Sequence, residues 1–466
     1  MSRPTVVLLG ALLAAGGGCS REPRLAPAPD VILIVVDTLR ADHLGCYGYD
    51  LDTSPHIDVF AAGGTRYENC VAPAPWTLPS HASLFTGLYP HEHRAYSFIP
   101  SELTPRNAFP LADSHTTLAE AFRAAGYETR AFVANEAYCS AWTGLAQGFD
   151  SYEVKHMYAE EMLPRIFAAL AQPRARPLFL FLNFMDTHTP YNVKPRPGLL
   201  PRPVAGDPFG VAQRLAAATL PGAADPPAEL AQTSLDQYDT SIANVDEQLG
   251  KLFARLRALG RFDSALLVLT SDHGEFFGEH RLVGHSKDVY EPAVDIPLIV
   301  KPPASAARRP RVNSKRVSLA SLPALLRKIL ANTRAKDALR GFPGPPARIL
   351  TENRYSRAKD LIGKPWSARF RRERMAIYDG PFKFIWSSDG RHELYDLQAD
   401  PRERTNLCAA RPEVAARLRG QIKSIRSGHP ASRPVGQPPA SSADELRILQ
   451  ALGYADSASQ PAEQRP

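Results

Sequence analysis

Polar residues capable of chemistry stand where apolar runs stop. Asp37 follows the unbroken run Val31 to Val36, His188 lies just past Leu178 to Phe184, and Asp272 and His273 follow Ala265 to Leu269. Such runs read as buried parallel strands. In a doubly wound α/β sheet, ligands bind beyond the carboxyl ends of the strands. Thr77 adds a hydroxyl. It stands two residues before Pro79, ahead of an apolar helical pattern, which places it near a helix N-terminus. There the free N–H groups and the helix dipole favour an anion or an alkoxide. Asp37, Asp272 and His273 are a natural ligand set for one divalent cation, with the Thr77 oxygen as a fourth ligand. Such a cation lowers the pKa of a hydroxyl. Taken singly, these residues also fit ordinary roles: Thr77 as a helix cap, His188 as a loop histidine, His81 on a helix surface.

The elements that must position them alternate. A helix is expected over Thr116 to Ala125 and strands over Thr129 to Ala134 and Ile296 to Val300, with a long helix from Glu229 to Leu259. This order predicts an α/β fold with a doubly wound, mostly parallel sheet. Residues 191–228, rich in Pro, Gly and Ala, read as a long loop, and the charge run Arg369 to Arg374 as a solvated face. Short strands at Tyr378 to Trp386 and Glu393 to Leu397, with an amphipathic helix over Pro412 to Ser427, make a smaller C-terminal α+β subdomain.

Composition narrows the class. Of 466 residues, 44% are hydrophobic and 22% charged, which excludes fibrous and mostly disordered chains. Proline occurs 43 times, well above the usual share of about 5%. The net charge of +7 is mild for this length and gives no reason to expect nucleic acid. Arg3, an apolar run from Val6 to Ala15 and three glycines before Cys19 read as an export signal of lipoprotein type, with periplasmic or outer-membrane anchoring expected. Cys46, Cys70, Cys139 and Cys408 show no zinc spacing, and disulfides and buried thiols fit them equally well.

The chain resembles the sulfatase family of the alkaline phosphatase superfamily. The resemblance is carried by Val35 to Asp37, Pro79 to Gly87, Thr270 to Glu275, Gly278 to His280 leading to Tyr290 and Glu291, and Glu393 to Leu397 with Asp400, Pro401, Asn406 and Leu407. With the composition of the flanking segments, the chain is expected to divide into a signal (1–19), a tether (20–29), a sulfatase-like catalytic domain (30–305), a connector (306–346), a C-terminal subdomain (347–427) and a Pro/Ser-rich tail with a short helix (428–466). The resemblance begins at about Asp30. It implies a divalent metal (Ca, Zn or Mn) on Asp37, Asp272 and His273, a nucleophile at Thr77, and His188 contacting the ester. A basic residue before the Tyr-Glu pair is His285 or Lys287, and His81 stands where the family has Arg. Sulfatases carry an oxidisable Cys or Ser where this chain has Thr77, so the aldehyde mechanism is closed to it. They also carry a second Asp where this chain has Thr38, and a Lys and a His near residue 135, where it has neither. A Thr nucleophile resembles the phosphodiesterase and phosphoryl-headgroup transferase branches. The expected activity is hydrolysis of sulfate, phosphate or phosphonate esters of a small molecule, glycan or lipid. The alternatives are a headgroup transferase and a non-catalytic binding lipoprotein.

Overall fold

A computed structural model describes residues 27–99, 107–200, 203–306, 311–356, 358–428 and residue 447. Cys19 and its signal lie outside these residues, as does the short helix expected in the Pro/Ser-rich tail, apart from Arg447. Fifteen strands are present among the described residues. Nine form the main sheet: β1 (Val31–Val36), β2 (Thr65–Val71), β3 (Glu128–Val133), β4 (Ser151–Val154), β5 (Leu178–Phe184), β6 (Leu266–Thr270), β9 (Asp295–Lys301), β10 (Arg311–Asn313) and β11 (Val317–Ser318). A hairpin pairs β7 (Phe276–Phe277) with β8 (Val283–Gly284). A second, antiparallel sheet holds β12 (Ile349–Asn353), β13 (Arg374–Asp379), β14 (Phe382–Ser387) and β15 (Glu393–Asp396) in sequence order.

The main sheet runs β10-β2-β9-β6-β1-β5-β3-β4, with β11 also on β2. Only β9 is antiparallel to its neighbours. Every residue of β1, β5 and β6 is buried. That is why these strands are unbroken apolar runs: helices cover both faces of the sheet. Register aligns their ends. Val36 pairs with Phe184, Val35 with Thr270, and Val133 with Asn183, so β1, β3, β5 and β6 deliver their next residues to one edge.

Two expectations need correction. The stretch read as a long loop contains a helix, Pro208–Thr219, capped by the Asp207 carboxylate accepting from Gly210 N (2.6 Å). Asp and Pro are the start signals here; the surrounding Pro and Gly hide them. The charge run at Arg369 to Arg374 is not wholly solvated. Arg374 is fully buried, with Nε 3.2 Å from Asp288 and Nη2 2.8 Å from Glu393. All four cysteines among the described residues are free thiols. No helix among those residues is long and apolar enough to cross a membrane.

Candidate active site

Asp37, Asn135, His188, Asp272 and His273 gather at the carboxyl edge of the sheet. Thr77 opens the helix Thr77–Thr86, whose ten residues are all buried. The helix starts because Trp76 is extended and Pro79 needs no amide partner in the first turn. It stops at Gly87, in the left-handed region at φ 75°. Ser80 Oγ donates to Asp272 O (2.6 Å), pinning the helix start to the β6 loop.

Asp37, Asp272 and His273 each offer one ligand atom, all within 4.8 Å of one another. His273 Nδ1 lies 2.9 Å from Gly274 O, so it carries the proton and Nε2 holds the lone pair. That Nε2 is 3.3 Å from Asp272 Oδ2 and 3.7 Å from Asp37 Oδ1. Both carboxylate oxygens are buried and accept no hydrogen bond. Three electron-rich atoms thus converge with no donor between them. Burial, then the Asp272 charge, pushes Asp37 up to about 7, and burial does the same to Asp272. Two fully buried acids this close are costly without a cation. The donor set of carboxylates and imidazole suits a divalent ion. Among the described residues no other such group of three occurs. Asp186 is not part of this set: it accepts from Ala159 N (3.0 Å) and Asn192 Nδ2 (3.0 Å) at a helix start.

Thr77 Oγ1 lies beside this set, 3.4 Å from His273 Nε2. Asn135 bridges the two: its Nδ2 donates to Asp37 Oδ2 (2.7 Å) and to Thr77 Oγ1 (3.3 Å). Thr38 takes the left-handed region at φ 61°. Its hydroxyl reaches both Asp37 O and Thr187 O at 2.7 Å, and its N–H donates to Asp272 (3.3 Å). One strained residue thus ties the ends of β1, β5 and β6 together. His81 is fully buried behind the site rather than on a helix surface. Its Nδ1 donates to Thr77 O (3.0 Å) and lies 3.5 Å from Asp272 Oδ2. Burial lowers its pKa to about 4, so it is neutral.

His188, His285 and Lys287 form the opposite wall. The His285 ring is 4.6 Å from that of His273 and 5.0 Å from that of His188. His285 Nδ1 meets Glu275 Oε1 at 3.1 Å. Lys287 Nζ donates to His285 O (3.2 Å) and lies 3.5 Å from Asp360. Both basic residues therefore reach the pocket. Sequence reasoning did not single out Asn135, Glu275 or Asp360 as members of the site. Asn135 stands just past a strand end, the signal that marked Asp37. Glu275 and Asp360 carry no comparable signal.

A strand-end ligand set facing a helix N-terminus on a mostly parallel sheet suits the binding of an anionic ester, and the comparisons with known proteins place the chain among the ester hydrolases of the alkaline phosphatase superfamily. A sequence model described as Sulfatase matches residues 29–328, more than half of the chain, and the protein belongs to the sulfatase family. It is 23% identical to Arylsulfatase K of Bos taurus, over 90% of this chain and 87% of that protein. It is also 23% identical to N-acetylgalactosamine-6-O-sulfatase of Bacteroides thetaiotaomicron, over 86% of this chain and 93% of that protein. Phosphonate Monoester Hydrolase of Agrobacterium radiobacter shares the fold with a TM-score of 0.64 at 21% identity, over 86% of this chain and 96% of that one.

Proposed function

We propose that the protein hydrolyses sulfate, phosphate or phosphonate esters through attack by Thr77, beside a divalent cation held by Asp37, Asp272 and His273. The observation that supports this most is the placement of Thr77 Oγ1 at a helix start, 3.4 Å from His273 Nε2 and 3.3 Å from Asn135 Nδ2. When bound, the cation supplies a positive field that favours the ionised hydroxyl and the developing charge. Asn135 holds the Thr77 oxygen in line and keeps Asp37 oriented. Thr77 Oγ1 forms a bond to sulfur or phosphorus, and the bond to the alcohol oxygen breaks. The electron pair leaves on that oxygen, which takes a proton from His188. His285 and Lys287 steady the non-bridging oxygens. Water then attacks the same sulfur or phosphorus atom and gives a proton back to His188, and the bond to Thr77 Oγ1 breaks, so the acid leaves and Thr77 regains its free oxygen. A phosphothreonine yields to water in this way, whereas a sulfated Thr lacks an aldehyde's elimination route. Phosphorus esters should therefore turn over faster than aryl sulfates.

The test compares 4-nitrophenyl sulfate, phosphate diester and phosphonate ester with wild type, Thr77→Ala and Thr77→Ser. Thr77→Ala should lose on the order of 10⁴- to 10⁶-fold in kcat while still binding metal. Thr77→Ser should keep partial activity, and quenched wild type should carry the acid group on the Thr77 peptide. Near-normal turnover by Thr77→Ala would overturn the covalent mechanism. Faster sulfate turnover would overturn the substrate ranking.

A further inference from the structure

We infer that Asn353, on the second sheet, is a positioning residue for the reaction: it holds the Ser286 peptide so that His285 and Lys287 face the ester across from Thr77. The inference rests on the proposed hydrolase reading, in which those two basic residues meet the non-bridging oxygens.

Ser286 stands between them and is strained. Its backbone lies in the left-handed region at φ 66°, which a serine adopts only at a cost. The residue is buried, and its Oγ makes no hydrogen bond to the described residues. The side chain therefore does not hold this turn; the backbone groups do. Ser286 N donates to Pro75 O (2.8 Å), two residues before Thr77. Ser286 O accepts from Asn353 Nδ2 (3.0 Å). Glu352 N, one residue earlier on β12, donates to Pro73 O (2.9 Å). These three bonds close a triangle between the approach to the nucleophile, the basic segment and β12. Two of them are backbone to backbone, and Asn353 supplies the third from its side chain.

The register of the second sheet aims this grip. Asn353 on β12 pairs with Arg374 on β13, so their side chains share one face. Arg374 Nε lies 3.2 Å from Asp288 Oδ1, while Asn353 reaches Ser286. Adjacent strands thus hold Ser286 and Asp288, and Lys287 lies between the two anchors. Asn353 is buried as well, and its Oδ1 accepts nothing from the described residues. A buried amide with its oxygen unpaired adds little net stability. Its remaining use is directional: it fixes the Ser286 carbonyl, and with it the strained turn.

The experiment measures KM and kcat with the 4-nitrophenyl ester that wild type cleaves fastest. Asn353→Leu keeps most of the volume and removes the donor, whereas Asn353→Ala removes both. Each should raise KM about five- to tenfold with kcat changed by less than about twofold, the size expected for one lost hydrogen bond. The decisive variant combines Asn353→Leu with Ser286→Gly. Glycine takes the left-handed region without strain and needs no outside grip, so the double variant should recover KM to within about twofold of wild type. Thermal unfolding followed by circular dichroism reports the fold of each variant. An unchanged KM in a folded Asn353→Leu would overturn the inference, as would a KM that Ser286→Gly leaves raised. Loss of fold in both single variants would overturn it too, by making Asn353 a residue of stability alone. Failure of wild type to cleave any 4-nitrophenyl ester would instead overturn the hydrolase reading beneath it.

Discussion

The two walls of the site are built differently. Asp37, Asn135, Asp272 and His273 stand within three residues of the ends of strands of one sheet, and backbone register fixes their spacing. His188 follows a strand too, but His285, Lys287 and Asp360 ride on loops and a short helix, two of them past the hairpin and one next to the second sheet. On the proposed reading, the first wall would hold the ion and the nucleophile, which must not move, and the second would meet the ester. Rigid strand ends serve the shared chemistry, and loops serve the choice of substrate.

That contrast can be broken from the strong end. Asp272→Ala should abolish metal binding and lower activity by on the order of 10⁴-fold or more, since one act removes a ligand and the carboxylate beside His81. Elemental analysis checks the first and initial rates the second; full activity in metal-free protein would remove the basis of the comparison. Asn135→Ala should cost about 10- to 100-fold in kcat while metal content falls little, because it loses a donor to Asp37 and Thr77 but no ligand. On the opposite wall, Asp360→Asn should act mainly on KM, by about five- to tenfold, as Lys287 loses its charged neighbour. An equal loss in kcat would place Asp360 with the rigid wall instead.

The smallest effect is a pH dependence. Asn353, on β12, donates to Ser286 O (3.0 Å), next to His285 and Lys287. The adjacent Glu352 meets His91 Nδ1 at 2.5 Å. Burial opposes the charge on His91, but the Glu352 charge and hydrogen bond outweigh it and raise its pKa above the usual 6.5. A raised histidine contributes stability that is complete below about 6.5 and is lost as pH climbs through the folded value. Tm should therefore fall with pH above about 6.5, and His91→Gln should flatten that slope. A parallel profile in the variant would show that the His91–Glu352 pair does not set that slope.

The sequence made the first wall legible and much of the second obscure, for one reason. Asp37 and Asp272 were visible because a buried strand is an apolar run and its end is abrupt. Thr77 was visible because Pro79 marks a helix start. Asn135 obeyed the same rule but has no charge to draw the eye. Glu275 and Asp360 take their meaning from His285 and Lys287, which only tertiary folding brings near. Arg374 shows this most clearly. Within its own run it is one of several arginines, and the acids that bury it lie 86 residues before it and 19 after, at Asp288 and Glu393.

That arginine also governs how the protein comes apart. The second sheet and the residues just before β13 lend cations to the segment that follows His285 and Lys287: Arg374 and Arg372 reach Asp288, and Lys383 reaches Glu291 at 2.7 Å. Asp288 is fully buried and Lys383 is fully buried. Losing both arginines would leave the Asp288 carboxylate with no counter-charge, at about 3–5 kcal/mol where it stays buried. A chain truncated before β12 would carry that cost permanently. The main sheet and its smaller neighbour should therefore denature in a single cooperative transition, although they are separate sheets, and one calorimetric endotherm would show it.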